Sequence, residues 1–472
     1  MNHSTRTRRA TRRLSACMAA ALLLGGCASS FNPPFEAPAT TVPAQYTHAS
    51  ANTTSSPGSS DPWWTNFQDP ALNRLVDQAL QRNNNLAAAA IRVRRAQLQA
   101  GLADSKLGPQ FSASASVGAS RRLESGASTT RSNSVSLGAS YELDLWNKLG
   151  SQRDVAQWEA QATAQDRDST ALALTGTTAR LYWQLGFLNQ RLASSAQSIA
   201  YAQKTYDLVQ AQYRAGAVSG LEVAEAQQSL ASQQASQTQL QQQAVEAATA
   251  LALLFDGPPG TRYADPKTLP ETVLPPVNAG LPTELLARRP DLRAAELRLR
   301  KTFTSMDATR ASYYPALTLT GSLGSSSTAL AQVLQNPVAA LGLGLTLPFL
   351  QRTQMKLDIQ VSETQYEEAV LNFRQTLYTA LSDVDNALSA RQQLGEQAVL
   401  LEQSLAAARR TEQLYEIRYR AGSVALKTWL DAQEKRRNAE IALAENRLNR
   451  LINHVTLYQA LGGDAQALAT PR

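Results

Sequence analysis

Histidine and cysteine are almost missing from this 472-residue chain, which holds only His3, His48 and His454 and only Cys17 and Cys27. Two cysteines build no disulfide framework. There is no thiol pair, no glycine-rich phosphate loop and no nucleophile triad, so the sequence offers no enzyme constellation and calls for no cofactor. Gly342 and Gly344 fall inside an alternating stretch and not before a helix, which excludes a nucleotide motif. Long apolar runs are also scarce. Beyond the N-terminus no 18-residue apolar run exists, so no transmembrane helix is expected. A β-barrel is not excluded, because alternating strands lower the mean hydropathy. Nor is there a surplus of one charge. The net charge of +7 (45 basic, 38 acidic) includes Arg6, Arg8, Arg9, Arg12 and Arg13; without those five, 40 basic residues face 38 acidic ones, leaving +2. That balance gives no reason to expect nucleic acid as a partner.

What the chain has begins with an export signal over residues 1–26: a basic start, then an apolar stretch from Leu14 to Leu24. Its end, Leu24-Gly25-Gly26-Cys27, resembles a bacterial lipobox, which makes Cys27 the expected lipidation site and, by analogy through Ala28, directs the protein to the outer membrane. Acyl chains would tether it through burial of about 0.8 kcal/mol per CH₂. Residues 28–62 are rich in Pro, Ser, Thr and Ala and read as an extended strap, so that 27–69 form a lipid-anchored N-terminal segment.

The rest is organised by a repeat. Tyr213-Arg214-Ala215-Gly216 returns as Tyr419-Arg420-Ala421-Gly422, an offset of 206 residues (419 − 213). Pro109 and Pro315, Leu86 and Leu292, and Glu225 and Asp431 keep the same offset, which marks an internal duplication. In each copy the glycine lies between two helical patterns, where it ends one helix at C′ and lets the chain turn back.

Each half reads as helix, β-hairpin, long helix, shorter helix. Residues 70–106 are helical by pattern until Pro109; then the period switches to two. Phe111, Ala113, Ala115, Val117 and Ala119 alternate with Ser112, Ser114, Ser116, Gly118 and Ser120. Strands are expected at about 110–120, 134–145, 315–324 and 341–349, with 121–133 a polar loop. Strands of about 9–11 residues match a tilted bilayer crossing, a Ser/Thr/Gly face suits a wet lumen, and aromatics at the helix-side ends suit an interfacial girdle. Four strands cannot close a barrel, and open edges are not tolerated in hydrocarbon, so the chain must oligomerise: two copies give eight strands, three give twelve. Long helices over 151–214 and 351–420 span roughly 95 and 105 Å at 1.5 Å per residue, and helices over 219–255 and 424–460 return. The organisation is thus 70–256 as first repeat, 257–282 as a Pro-rich linker packed outside the helices, 283–462 as second repeat and 463–472 as tail. The fold class is mainly α with a β-barrel membrane part.

Together these pieces resemble the outer-membrane efflux protein family, the TolC-like channels, and within it the lipid-anchored NodT-like branch. The motifs carrying the resemblance are Trp63-Trp64 with Phe67 and Asp69-Pro70-Ala71-Leu72, the run from Arg289 to Glu296, and the two Tyr-Arg-Ala-Gly turns with Leu430-Asp431-Ala432-Gln433. The resemblance implies a homotrimer with a twelve-stranded barrel, a periplasmic α-helical barrel, a periplasmic adaptor and an inner-membrane pump of RND type. It makes Asp431 a pore-lining gate and selectivity residue. Glu225, its repeat partner, is a second candidate and Leu430 a candidate for an apolar constriction. Arg214, Ala215, Gly216, Arg420, Ala421 and Gly422 become adaptor-contacting tips. Asp383 and Asp385 read as a solvated helix face. The function expected is a passive exit duct for small toxic compounds or antibiotics. Metal-ion efflux, type I protein secretion and a non-conducting structural lipoprotein are the alternatives.

Overall fold

Period-two alternation does become strand and the Ala/Gln-rich stretches do become helix in the computed structural model, which describes residues 34–48, 62–124, 128–271, 274–275, 277 and 279–463. The signal segment and Cys27 lie outside the described residues. The chain divides into two compact units. One gathers residues 92–163 and 294–374 with strap residues 34–40; the other gathers 41–91, 164–293 and the segment from 375 onward.

The first unit is built on a four-stranded antiparallel sheet in chain order: β1 (Gln110–Arg121), β2 (Thr129–Leu143), β3 (Ala316–Ser327) and β4 (Pro337–Thr346). The pairing sets odd residues against odd ones throughout: Ala113 opposite Leu137, Leu137 opposite Leu323, Leu323 opposite Ala339. Directly opposed side chains share a face, so the odd residues lie on one face, mostly apolar, and the even residues on the other. The even face is rich in Ser, Thr and Gly, and it ties itself together through Ser114 to Ser136 and Ser116 to Ser134 hydroxyl pairs, each 2.8 Å. The odd face is bare: Phe111 is 82% and Leu341 88% exposed.

The strands differ from the expected ranges at their ends. Polar residues 121–133 were expected as loop, yet Arg121 pairs with Thr129 and Ala119 with Arg131, because a hydroxyl or guanidinium does not prevent ladder pairing of the backbone. At the other end β2 stops at Leu143 and not at 145. The Asp144 carboxylate accepts the Leu149 and Gly150 amides at 3.0 and 2.7 Å, which starts the next helix. β4 stops at Thr346, since Pro348 has no N–H to offer and opens a short 3₁₀ turn, Pro348–Leu350. Beside these ends, Trp146 donates its indole N–H to the Pro315 carbonyl (2.8 Å) and lies 5.1 Å from the Tyr314 ring.

The helices are α1 (Pro70–Arg82), α2 (Asn84–Ser105), α3 (Lys148–Arg214), α4 (Gly220–Leu253), α5 (Leu285–Arg288), α6 (Pro290–Ala311), α7 (Arg352–Arg420) and α8 (Leu426–Ala460). The single helix expected over 70–106 is broken at Asn83, which leaves the helical region (φ −71°, ψ 121°). Its side chain compensates on both sides, donating to the Leu254 carbonyl (3.0 Å) and accepting the Leu86 amide (3.0 Å). The second repeat breaks at the corresponding place. Arg289 (83 + 206) separates α5 from α6, and it donates to the Ala460 carbonyl (460 = 254 + 206) at 3.3 Å. The duplication therefore extends to an interaction: in each half the hinge side chain closes the C-terminal end of the returning helix.

The second unit holds the main cores. The Trp63–Phe67 turn drives Trp63, Trp64 and Phe67 into a cluster with Leu72, Val76, Trp183, Leu188, Leu251 and Val455. Asp69 caps α1 by accepting the Ala71 and Leu72 amides, and Tyr182 donates its hydroxyl to the same carboxylate at 3.0 Å. The linker also packs here, with Leu269 buried in this cluster and Tyr263 stacked 4.4 Å from Phe255. In a second cluster Tyr46 of the strap lies among Leu292, Leu377, Leu381 and Val384. Asp383 and Asp385, expected as a solvated face, are engaged instead. Asp383 accepts from Arg289 (3.2 Å), because a largely buried guanidinium needs acceptors, and Asp385 accepts the His48 amide (3.1 Å).

Candidate functional site

Two helix-to-helix turns in the second unit carry most of the residues singled out from the sequence. Both end in the same hydrogen-bond motif. The Gly216 amide donates to Tyr213 O and the Ala217 amide to Gln212 O, each at 2.9 Å; Gly422 donates to Tyr419 O and Ser423 to Arg418 O, also at 2.9 Å. This paired closure needs a left-handed residue at C′, and Gly216 (φ 74°) and Gly422 (φ 70°) supply it. Arg214, Ala215, Gly216, Arg420, Ala421 and Gly422 are all exposed. The guanidinium of Arg214 rests on Gln210 (3.0 Å) and that of Arg420 on Glu416, each one helical turn back.

The helices entering and leaving the turns pack on a small cluster of Val209, Ala226, Leu426 and Trp429, drawn from α3, α4 and α8, with Tyr415 and Tyr419 of α7 against it. Trp429 stacks on Tyr419 at 5.1 Å and meets the edge of Tyr201 at 6.1 Å. The Tyr419 hydroxyl donates to Gln212 at 3.1 Å, joining the last turns of α7 and α3. The two returning helices start differently. Ser219 and Glu222 form a reciprocal capping box on α4, whereas Ala425 begins α8 with no side-chain cap.

Leu430 packs partly buried against that apolar cluster, so its visible contacts lie within the chain. Asp431 is exposed and takes an i,i+4 ion pair from Lys427 at 3.3 Å, an arrangement typically worth under about 1 kcal/mol. Glu225 is half-buried and has no ion pair among the described residues. The turns therefore bring the six tip residues into two exposed loops but do not gather Asp431, Glu225 and Leu430 into one pocket within the chain. The repeat marks Tyr419 only as a landmark and assigns no role to Gln212 or Trp429; a tryptophan directly before Leu430 is the cue the sequence offers.

Farther along α8, Arg436 sits between two acids. It donates to Glu440 at 2.7 Å and pairs with Glu412 of α7, while Arg409 reaches Glu440 at 3.2 Å. Desolvation opposes the charge on Arg436, but Glu412 and Glu440 outweigh it and raise its pKa. Arg437 beside it has its pKa lowered, first by burial and then by Arg436. This network ties α7 to α8 about 15 Å along α8 from its first residue, counting ten residues from Leu426 (436 − 426) at 1.5 Å each. Among the described residues no group of three His, Cys, Asp or Glu side chains converges as metal ligands would. No helix among them is long and apolar enough to cross a membrane.

A family model described as outer membrane efflux protein matches residues 75–256 and 281–463, one segment per repeat. The pyoverdine export outer membrane protein OpmQ of Pseudomonas aeruginosa is 33% identical over 477 aligned positions, covering 97% of this chain and 98% of its own length. The toxin and drug export protein A of Aggregatibacter actinomycetemcomitans is 31% identical, covering 85% of this chain and 88% of its own length. The solved outer-membrane channel OprN superposes with a TM-score of 0.82 at 26% identity, covering 92% of this chain and 99% of that one. The strand-and-helix pattern, its duplication and these matches agree: the chain belongs to the outer membrane efflux protein family, whose members are outer-membrane channels of tripartite efflux pumps.

Proposed function

We propose that three copies of this chain close a twelve-stranded barrel and act as a passive exit duct for small toxic compounds, antibiotics among them. The observation that carries this reading is the sheet. It has a mostly apolar odd face, an even face rich in Ser, Thr and Gly, and two edge strands, β1 and β4, with no partner strand among the described residues. Unpaired backbone groups cost several kcal/mol each in hydrocarbon, so such a sheet is stable in a bilayer only when further strands complete it. The odd face then meets lipid and the even face lines the lumen. Exposed apolar side chains on helices of the same unit, Leu98 and Leu102 on α2 and Leu357 and Val361 on α7, give neighbouring copies surface to bury.

The exposed glycine turns are the adaptor-contacting tips, through which the duct engages a periplasmic adaptor and an RND-type inner-membrane pump. Energy comes from that pump. Acyl chains on Cys27 hold the strap in the membrane. Asp431 supplies the carboxylate of a gate; repeated threefold it favours cations and repels anions. Glu225 adds a second ring, while the packing of Leu430 favours a supporting role. The test is conductance in planar bilayers of the purified full-length protein and of Asp431→Ala. We expect the variant to conduct more and to lose cation preference by roughly severalfold. Identical current and selectivity overturn the assignment of Asp431, and a purely monomeric mass in mild detergent overturns the threefold duct.

A further inference from the structure

The sheet is almost free of charge, and the exceptions are placed unevenly. Its strand residues include three ionisable side chains of formal charge, Arg121, Arg131 and Glu142. Glu142 stands at the helix end and pairs with Lys148. The two arginines stand at the opposite end of the odd face, where the apolar run gives way to Thr129, Asn133, Ser325 and Ser327. Arg121 is opposite Thr129 and Arg131 opposite Ala119, which makes the arginines diagonal neighbours on one surface, roughly 7–8 Å apart. Both are exposed, and neither has an ion-pair partner among the described residues.

Two like charges at the border of an apolar face repel each other, and an external counter-charge relieves that repulsion. Their depth says where it comes from. Phe111 and Arg121 are ten residues apart (121 − 111), roughly 33 Å of strand at about 3.3 Å each. A tilt of about 40° leaves roughly 25 Å, the height of the apolar band of an outer-membrane barrel. With Phe111 and Trp146 at one boundary, Arg121 and Arg131 fall at the other. A charge there is tolerated, whereas at the midplane it is not. The neighbouring Asn133, also on the odd face, satisfies itself by donating to the Ser327 and Thr328 carbonyls at 3.3 Å. The arginines have no such outlet among the described residues.

We propose that Arg121 and Arg131 bind the phosphate groups of a phosphorylated lipid in the outer leaflet. Guanidinium forks pair with phosphate oxygens bidentately and hold their charge at any physiological pH. A pair of them spaced along one strand hairpin suits a headgroup carrying two phosphates, and continuity with the apolar face places the acyl chains beside Val117, Val135 and Leu137. The inference rests on the lipid-facing reading of the odd face.

The test uses full-length protein in detergent, titrated with diphosphorylated lipid A and, separately, with its dephosphorylated form, with bound lipid counted by native mass spectrometry. The parent should prefer the diphosphorylated lipid. The double variant Arg121→Gln/Arg131→Gln should bind it on the order of twentyfold more weakly, at about fivefold per basic residue, while Arg122→Gln, on the opposite parity and past the strand end, stays within about twofold. Equal binding by parent and double variant overturns the proposal. So does a parent that does not distinguish the two lipids, a result independent of whether any variant folds. Quenching of Trp146 by brominated lipid chains in vesicles checks the lipid-facing reading itself. Quenching without phosphate preference sinks only this site; absence of quenching sinks the face reading and the site together.

Discussion

At the scale of single residues, His454 is sensitive to a change of pH although it is almost wholly buried. It lies in the main core, with the Phe67 ring 5.4 Å and the Tyr458 ring 5.1 Å away, both edge-on. Neither ring nitrogen has a hydrogen-bond partner among the described residues. Burial, and then the positive charge of Arg391, lowers its pKa to about 4 from the usual 6.5. The sign follows from which state binds the proton. Above pH 6.5 neither state is protonated and the residue has no pH effect. Below it the unfolded chain takes up a proton that the folded core refuses until about pH 4, so stability falls across that window. Between pH 7.5 and 4.5 the loss attributable to this residue is about 2–3 kcal/mol, at 1.36 kcal/mol per unit. Trp63 and Trp183 share this core and report on it. Guanidinium unfolding followed by tryptophan fluorescence should therefore shift to a lower midpoint at pH 4.5, and His454→Leu should remove most of that shift. An unchanged shift in the variant would assign the acid sensitivity to the carboxylates.

At the scale of elements, the turns show what a sequence can state outright. Gly216 and Gly422 were legible because only one residue type adopts φ near 70° without strain. Strand faces were legible for a similar reason, since a period of two fixes which side chains share a surface. Motifs that looked like family marks turn out to have local physical causes: Asp69 caps α1, and Arg289 is held by Asp291, Asp383 and two backbone carbonyls. What was not legible depends on distant partners. The Asn83 break is invisible in the pattern because the carbonyl it satisfies belongs to Leu254, and the hairpin reaches Arg121 and Thr129 because pairing, not polarity, decides where a ladder ends. Asp431 and Glu225 stay beyond both, since the gate proposed for them depends on neighbouring copies of the chain. One consequence is testable on the turn. A Cβ at Gly422 meets nothing within 4 Å, so a substitution there acts through backbone strain alone. Gly422→Val should cost roughly 1–2 kcal/mol and speed amide exchange over 418–426 by about five- to thirtyfold, whereas Gly422→Asn, which tolerates the left-handed region, should change it by less than about threefold. Equal acceleration by both would mean that the side chain, not the backbone, is being read.

At the scale of the whole molecule, the open sheet calls for further strands. β1 and β4 each carry one row of backbone groups with no partner strand among the described residues, and they lie at opposite edges of one antiparallel sheet. An odd-numbered face this apolar does not tolerate water, and an open edge does not tolerate lipid. Both conflicts end when β4 of one copy pairs with β1 of the next and the ring closes. Such a head-to-tail contact is heterologous, so closure depends on the rotation per copy, and three four-stranded sheets give twelve strands. Cysteine chemistry can count the copies. Cys17 and Cys27 are the natural cysteines of the chain; on the export-signal and lipobox readings the first is removed and the second acylated. Ser114→Cys on β1 can then be combined in turn with Val338→Cys, Ala340→Cys, Gly342→Cys or Gly344→Cys on β4, all on the even face, which the proposed duct places on its lumen, where an oxidant has access. One of these four partners should fall in register and yield a covalent ladder that ends at three copies on denaturing gels, with the neighbouring positions weaker because even-face neighbours on a strand are roughly 6.6–6.8 Å apart. A ladder ending at two would make the barrel eight-stranded. No cross-link at any of the four positions would mean that β1 and β4 do not meet, and the duct would have to close in some other way.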